Sequence, residues 1–519
     1  MTPPKTSTDA PIPLSKRLVL TNSASSVISR LLEVTILVWM YQYLLKSIPT
    51  EEFAIYPVVM AIMVFAPFFF SLFTGGLARY LIDAYAKSEF ERVRSITSSV
   101  APVIWGTVIL FWILGLTFAA NIEDVLNIPV YLEQDARLMM ALLVLTFGCQ
   151  MMLSPFVLGF HIKQRFVELT CLGILKELLR IFLLLLLLLG IGPAVLWVVI
   201  ANTIAELAYL CIVFVRSRRM VPELRFEPRL FEWKTAKTLA SFGLWTTLGQ
   251  LGGMMYTNAA TILLNLHGTA VEVTSYFLGA TLYRQLETLI VRAIGPLLPV
   301  ITAMNATGDK QRLANTVLRG GRYGLWVSML VATPAIIYSD IFVELYAGPE
   351  FSQASTIIIL FMVMFPFTQA VSLLPMTAIA TAWVKQFYLP AFLAQLTGLA
   401  IMLVMVTRFE ATAIGITASL TFVTITAHLV YFWNLAIRMI ESDFPTFIRR
   451  TLVPGLLPAL AGAVVWLGLR LSVPIDGWFT LLLCGFIGAI AYVAALLGFS
   501  LEAETRAKLH ERLTRSLRS

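Results

Sequence analysis

Nine ionisable side chains fall inside stretches otherwise suited to hydrocarbon: Arg30, Glu33, Lys176, Glu177, Arg180, Glu206, Arg284, Glu287 and Arg292. Arginine keeps its proton, and its planar fork of donors fits two phosphate oxygens at once. A path lined with arginine therefore suits a phosphorylated ligand better than a neutral or cationic one. A glutamate partly withdrawn from water can titrate, which is what coupling to protons requires. The candidate substrate-binding set is Arg30, Arg284, Arg180, Arg292 and Lys176, with Arg79 in "GGLARYL" just past the second apolar run. Glu33, Glu206, Glu287 and Glu177 are the candidates for coupling or charge balance.

The same residues admit a structural reading. Arg30 with Glu33 and Arg284 with Glu287 are i, i+3 pairs that could neutralise each other on one helix face. Lys176 and Arg180 are i, i+4 and of like sign with only Glu177 beside them, so that helix is expected to keep an uncompensated positive charge or to send both side chains to the interface. Arg79 could be an interfacial anchor. Depth favours function: at about 1.5 Å per residue, Arg30, Arg180, Glu206 and Arg284 lie roughly 13 to 18 Å from the nearest predicted span end. A charge there costs on the order of 3 kcal/mol on insertion scales, so these groups must face one another or a watery cavity.

Other chemistry has no foothold. Cys149, Cys171, Cys211 and Cys484 lie in apolar runs with no C-x-x-C pair, and His161, His267, His428 and His510 are scattered without ligand spacing. There is no G-x-x-x-x-G-K-[ST] loop. The chain reads as a non-enzyme with no catalytic residues, metal or cofactor.

The elements that position these charges follow from composition. Of 519 residues, 58% are hydrophobic and 13% charged, and the mean hydropathy is +0.83. Apolar runs of about twenty residues recur end to end, such as "VAPVIWGTVILFWILGLTFAA" at 100–120. Lipid offers backbone amides no partner, so these runs must be helices and the chain an all-α polytopic membrane protein. About fourteen spans are expected near 18–45, 53–76, 98–120, 138–160, 168–190, 193–215, 239–265, 274–298, 323–338, 354–375, 387–406, 412–433, 451–469 and 477–500.

Orientation follows from the basic residues. Of 38 Lys and Arg, 29 fall in loops on the side shared by both termini, 4 on the opposite side (Lys46, Arg137, Arg408 and Arg470) and 5 within spans. The shared side is therefore expected to be cytoplasmic, and the net charge of +8 reflects topology rather than nucleic-acid binding. The most basic loop, "RSRRMVPELRFEPRLFEWKTAK" at 216–237, joins spans six and seven. The opposite loops are too short for an external catalytic domain.

The chain also repeats. Residues 50–95 laid on 270–315 without a gap match at Glu52/Glu272, Tyr56/Tyr276, Gly75/Gly295, Leu77/Leu297, Ala86/Ala306 and Arg92/Arg312. An offset of 220 residues covers six spans, an even number, so both halves share one orientation. The repeat is thus of the parallel kind, with a pseudo-twofold axis along the membrane normal and a substrate site expected between halves.

The run "IPTEEFAIYPVVMAIMVFAPFFFSLFTGGLARYLIDAYAKSEFERVRS" resembles the second-helix signature of polysaccharide flippases of the multidrug/oligosaccharidyl-lipid/polysaccharide (MOP) exporter superfamily. "GFHIKQRFVEL", "FGLWTTLGQLGGMMYTNAATILL", "PLLPVITAMNATGDKQRL" and "IFVELYAGPEFSQAS" are similar to further segments of that family, and the resemblance covers roughly residues 15–440. It implies two six-helix bundles forming a V, a cationic cavity that takes an undecaprenyl-diphosphate-linked glycan, and cavity roles for Arg30 and Arg284. Spans thirteen and fourteen could form a groove for the lipid tail, as two extra helices do in lipid II flippases. Drug and cation antiporters of the superfamily often carry a first-bundle aspartate, and no predicted span here contains aspartate.

The resulting expectation is a flippase moving a lipid-linked oligosaccharide to the outer leaflet for surface or exopolysaccharide biosynthesis. A lipid II flippase and a MATE-like drug or cation antiporter are the alternatives. Expected partners are the undecaprenyl-diphosphate-linked oligosaccharide, membrane lipids and a polysaccharide polymerase, with a monomeric transport unit in the bacterial cytoplasmic (inner) membrane. The expected organisation is a cytoplasmic tail at 1–17, bundles at 18–215 and 239–433 joined by a basic linker at 216–238, two extra spans within 434–500, and a cytoplasmic amphipathic tail at 501–519.

Overall fold

The computed structural model describes residues 39–67, 77–163, 165–235, 237, 258–294, 297–306 and 308–500. Their regular structure is helical throughout. The principal helices are α1 (Thr50–Met63), α2 (Leu77–Ala86), α3 (Phe90–Ala120), α4 (Glu133–Ile162), α5 (Phe166–Gly190), α6 (Leu196–Met220), α7 (Ala270–Ile294) and α8 (Leu297–Ala306). They continue as α9 (Lys310–Ile337), α10 (Ser339–Tyr346), α11 (Gln353–Val363), α12 (Val384–Phe409), α13 (Ala413–Ala427), α14 (Val453–Ser472) and α15 (Trp478–Ala495).

Eight helical stretches among the described residues are long and apolar enough to cross a membrane, or nine if α9 and α10, bent by 75° at their junction, form one span. The protein is thus an all-α, multi-pass membrane protein. Helices α5 and α7 fall outside that count because each carries several charges of the set above. Most of the expected first span and most of the expected seventh lie outside the described residues, although 39–45 of the first are helical.

The 220-residue repeat is visible in backbone geometry. Helices begin at Thr50 and Ala270 and at Phe90 and Lys310, each pair 220 residues apart. The described residues that lead into Phe90 and Lys310 turn alike in both copies. Ser88 and Gly308 take positive φ, 58° and 71°. The Glu89 amide then donates to the Ala84 carbonyl at 2.9 Å, and the Asp309 amide to the Met304 carbonyl at 3.1 Å. A left-handed residue closes each helix by satisfying its last carbonyls. Asp309 goes on to cap α9 by accepting from the Arg312 amide.

The helices form two compact units. One takes residues 1–47, 69–121 and 134–244, the other 48–68, 122–133 and 245–519. In the first unit the core gathers Leu81, Val93, Ile104, Val221 and Leu224, all but fully buried. Here the chain after α6 packs back on α3. Ser98 Oγ accepts from the Glu227 amide at 2.8 Å and Ser99 Oγ from the Glu232 amide at 2.9 Å, while Phe226 meets Trp105 edge-on at 5.0 Å. The basic segment after α6 is therefore held against α3 between residues 226 and 232.

In the second unit α7 packs on α1, α11 and α13, and α14 on α9 and α15. The repeat-related helices α1 and α7 meet through aromatic edges, with the Phe277 ring 6.0 Å from Phe53 and 6.3 Å from Tyr56. Backbone carbonyls secure α14 and α15 to α9 and α10. Trp326 Nε1 donates to the Pro454 carbonyl at 2.8 Å, Tyr338 to the Trp466 carbonyl at 2.8 Å and Tyr492 to the Trp326 carbonyl at 2.9 Å. Gly455 faces Leu325 so closely that a Cβ would lie 2.4 Å from Leu325 Cδ1. The last two spans are thus integral to the second unit.

Candidate functional site

In the first unit Lys176, Glu177 and Arg180 of α5 and Glu206 of α6 form one network. Lys176 Nζ lies 3.0 Å from Glu206 Oε2 and 3.5 Å from Glu177 Oε1, and Arg180 Nη2 lies 2.7 Å from Glu177 Oε2. Tyr209, one turn beyond Glu206 on α6, turns its ring toward Lys176 at 5.4 Å. Two cations and two anions make the group formally neutral. The expectation that α5 keeps an uncompensated positive charge is therefore corrected: α6 supplies the missing carboxylate. Ion pairing of this kind is how charges at membrane depth lower their insertion cost.

In the second unit a cavity of about 840 Å³ is lined by Arg284 and Glu287 of α7. Polar side chains from other helices join them, among them Asn258, Gln369, Ser372, Gln395 and His428. Arg284 Nη1 donates to Asn258 Oδ1 at 3.3 Å. Among the described residues no ion pair within 4 Å joins Arg284 to Glu287, so their i, i+3 spacing does not lock the guanidinium to its own helix. Tyr283 stacks on Phe361 at 5.1 Å, which holds this turn of α7 against α11.

His428 begins a five-residue π turn, His428–Phe432, that follows α13. The ring is held by the preceding helix: Nδ1 lies 2.8 Å from the Thr424 carbonyl, so Nδ1 donates. Such insertions in a helix often mark functional positions. The sequence reading passed over His428 because it lacks ligand spacing, and over Asn258 and the two glutamines because nothing in their spacing marks them. The apolar surroundings of Gln369 in "LFMVMFPFTQAVSLL" were the available signal.

Of the remaining sequence candidates, Arg30 and Glu33 lie outside the described residues. Arg79 is on α2 and Arg292 on α7, with side chains outside the described set. The structure thus brings Lys176, Glu177, Arg180 and Glu206 together in one unit and Arg284 and Glu287 together in the other. The cavity's described lining carries one arginine and one glutamate, balanced in formal charge. Among the described residues no group of three or more His, Cys, Asp or Glu could hold a metal ion.

The arrangement of these helices is found in solved membrane transporters. Three solved structures share it. They are the lipid II flippase MurJ in an inward closed conformation (TM-score 0.68, 12% identity, 92% of this chain and 98% of that one), an inward-facing multidrug-resistance MATE family transporter (0.64, 11%, 78% and 94%), and a MOP superfamily transporter from Pyrococcus furiosus (0.60, 11%, 81% and 95%). Residues 19–305 match the polysaccharide biosynthesis protein family, and the chain belongs to it. It is also 21% identical over 486 residues to the uncharacterized membrane protein EpsK of Bacillus subtilis, spanning 91% of this chain and 93% of that protein.

Proposed function

We propose that the protein is a flippase that carries an undecaprenyl-diphosphate-linked oligosaccharide from the inner to the outer leaflet of a bacterial cytoplasmic membrane. It would work by alternating access and serve surface or exopolysaccharide biosynthesis. The observation that carries this reading is the cavity of the second unit, where Arg284 leans on the neutral Asn258 instead of a carboxylate. A guanidinium so placed keeps its full charge for phosphate oxygens. Gln369, Ser372 and Gln395 can exchange hydrogen bonds with sugar hydroxyls, and Tyr388 and Phe387 offer flat apolar faces to a sugar ring.

Arg30 takes the corresponding phosphate-binding role in the first half, with Arg292 and Arg79 along the path. The Lys176–Glu177–Arg180–Glu206 network supplies charge balance, and Glu287 and Glu33 are the groups that would carry protons. The reading retains fourteen spans in two repeated six-helix halves at 18–215 and 239–433, two further spans, and both termini in the cytoplasm. Membership in a polysaccharide biosynthesis family supports the substrate class.

The test is mass spectrometry of lipid-linked glycans from cells lacking the gene, with leaflet sidedness read by an impermeant probe. Complementation uses the wild type or Arg284→Ala. An undecaprenyl-diphosphate oligosaccharide should accumulate on the cytoplasmic leaflet and be cleared by the wild type alone. Unchanged glycans, or full rescue by the variant at normal protein level, would sink the assignment. Loss of viability with lipid II retained inside would name lipid II as the substrate.

A further inference from the structure

The segment 122–133 belongs to the second unit, although the residues on either side of it, 69–121 and 134–244, belong to the first. Ile122, Leu126 and Leu132 seat it, each all but fully buried. Asn265 holds it from outside: its Oδ1 accepts from the Asn127 backbone amide at 3.0 Å, and its Nδ2 donates to the Asn127 carbonyl at 3.1 Å. One side-chain amide thus brackets the backbone of one residue, and the Asn127 side chain takes no part in either bond.

Asn265 is joined firmly to α7. The Gly268 amide donates to the Leu264 carbonyl at 2.8 Å, the Thr269 amide to Glu272 Oε2 at 2.9 Å and the Glu272 amide to Thr269 Oγ1 at 3.3 Å. The last two bonds make a capping box that fixes the start of α7. Two turns further on, Phe277 is buried edge-on against the buried Phe53 of α1. The second unit therefore holds two pieces of the expected first half, α1 and the segment 122–133, both against the beginning of α7 or the turn before it.

The helices that meet here, α1 and α7, are repeat mates that start at Thr50 and Ala270. Two helices related by a twofold axis can touch only astride that axis, and the path expected between the halves runs along it. Contact there closes the path at that end. The clasp in front of the contact is open to solvent, so each of its hydrogen bonds can be exchanged for one to water at small cost. The joints of Tyr338 and Tyr492 to α14 and α9 are buried by comparison.

We infer that the Asn265 clasp on the 127 backbone, with the Phe53–Phe277 seam behind it, is a latch that holds the path shut at this end and must release for the path to open. The inference rests on the two-half, alternating-access reading above but not on the nature of the cargo. With both termini cytoplasmic, the latched end is the outer one.

The test uses the purified full chain with Cys149, Cys171, Cys211 and Cys484 replaced by alanine and Phe53→Cys as the reporter, or Tyr56→Cys if Phe53→Cys lowers the melting temperature. Asn265→Ala should raise the rate of maleimide labelling at the reporter about tenfold, the factor that two water-exposed hydrogen bonds amount to. Asn127→Ala should leave the rate unchanged, because the clasp reads backbone. Equal rates with and without Asn265, or an equal rise from Asn127→Ala, would overturn the latch. In cells, N127C/N265C bridged by a reducible thiol-reactive cross-linker should stop export, and reduction should restore it; full export while bridged would also overturn the latch. Glycans unchanged by deletion of the gene would sink the flippase reading alone, since the labelling rates do not depend on the cargo.

Discussion

Lys176 and Glu206 stand thirty residues apart in sequence and 3.0 Å apart in space, joining α5 to α6. Glu206 is buried and Lys176 about a quarter exposed, so removing one partner strands the other away from water. Glu206→Gln should cost about 3 kcal/mol. Lys176→Met/Glu206→Met should recover most of that loss. Thermal unfolding in detergent, run as a double-mutant cycle, measures both, and additive effects would show the pair to be uncoupled.

Asn258 orients Arg284 in the cavity of the second unit. A hydrogen bond to a charged group contributes about 1.5 kcal/mol, so Asn258→Ala should lower export about tenfold. Arg284→Lys should fail to restore function, because an ammonium cannot present the two-pronged donor set. Export per transporter, normalised to membrane protein level, is the measurement.

The approach of α9 to its neighbours depends on glycine at one position in particular. A Cβ on Gly321 would lie 2.1 Å from the Ala370 carbonyl oxygen, a backbone atom that cannot swing aside. Gly321→Ala should destabilise the protein by about 1–3 kcal/mol. At Gly468 on α14 a Cβ meets nothing within 4 Å, and Gly468→Ala should leave the melting temperature where it was.

Trp466 anchors α14 to α15. It is fully buried, donates through Nε1 to the Gly485 carbonyl at 3.1 Å, and occupies space that Gly462 and Gly488 leave open. Trp466→Ala should cost about 3–5 kcal/mol through the cavity it leaves. Tyr492→Phe removes only the hydroxyl that reaches the Trp326 carbonyl and should cost about 1 kcal/mol. Unfolding monitored by tryptophan fluorescence separates the two.

Asp443 caps the turn leading into α14, accepting from the Thr446 amide at 3.0 Å and the Thr446 hydroxyl at 2.7 Å. These hydrogen bonds hold its carboxyl below the usual aspartate value. Because the folded-state value is depressed, the cap's contribution is complete above the ordinary aspartate range and is lost as pH falls through the lowered value. Protection of the Thr446 amide from hydrogen exchange should fall along that acid limb. In Asp443→Asn the step should be absent.

Much of the architecture was legible before any coordinate. The spans expected at 387–406 and 477–500 appear as α12 and as α15 with its closing turn, because a bilayer imposes a length and composition that hydropathy reads directly. The 220-residue offset, weak as six identities, reappears in the helix starts at Thr50 and Ala270 and at Phe90 and Lys310, and in the positive φ of Ser88 and Gly308. Backbone turns depend on local sequence, and local sequence was what the alignment compared.

By itself the sequence determined that the protein is a helical, multi-pass, internally repeated membrane protein with charges set in apolar runs. Each of those properties depends on a residue and its near neighbours along the chain. Tertiary structure decided whom the charges meet. Spacing proposed Glu287 for Arg284 and left Lys176 short of a partner, whereas the fold aims Arg284 at Asn258 and brings Glu206 to Lys176. Helical periodicity governs contacts three or four residues apart on one helix. Which faces of α5 and α6 meet, and which side of α7 opens on a cavity, depends on the packing of whole helices, and no local pattern encodes that rotation.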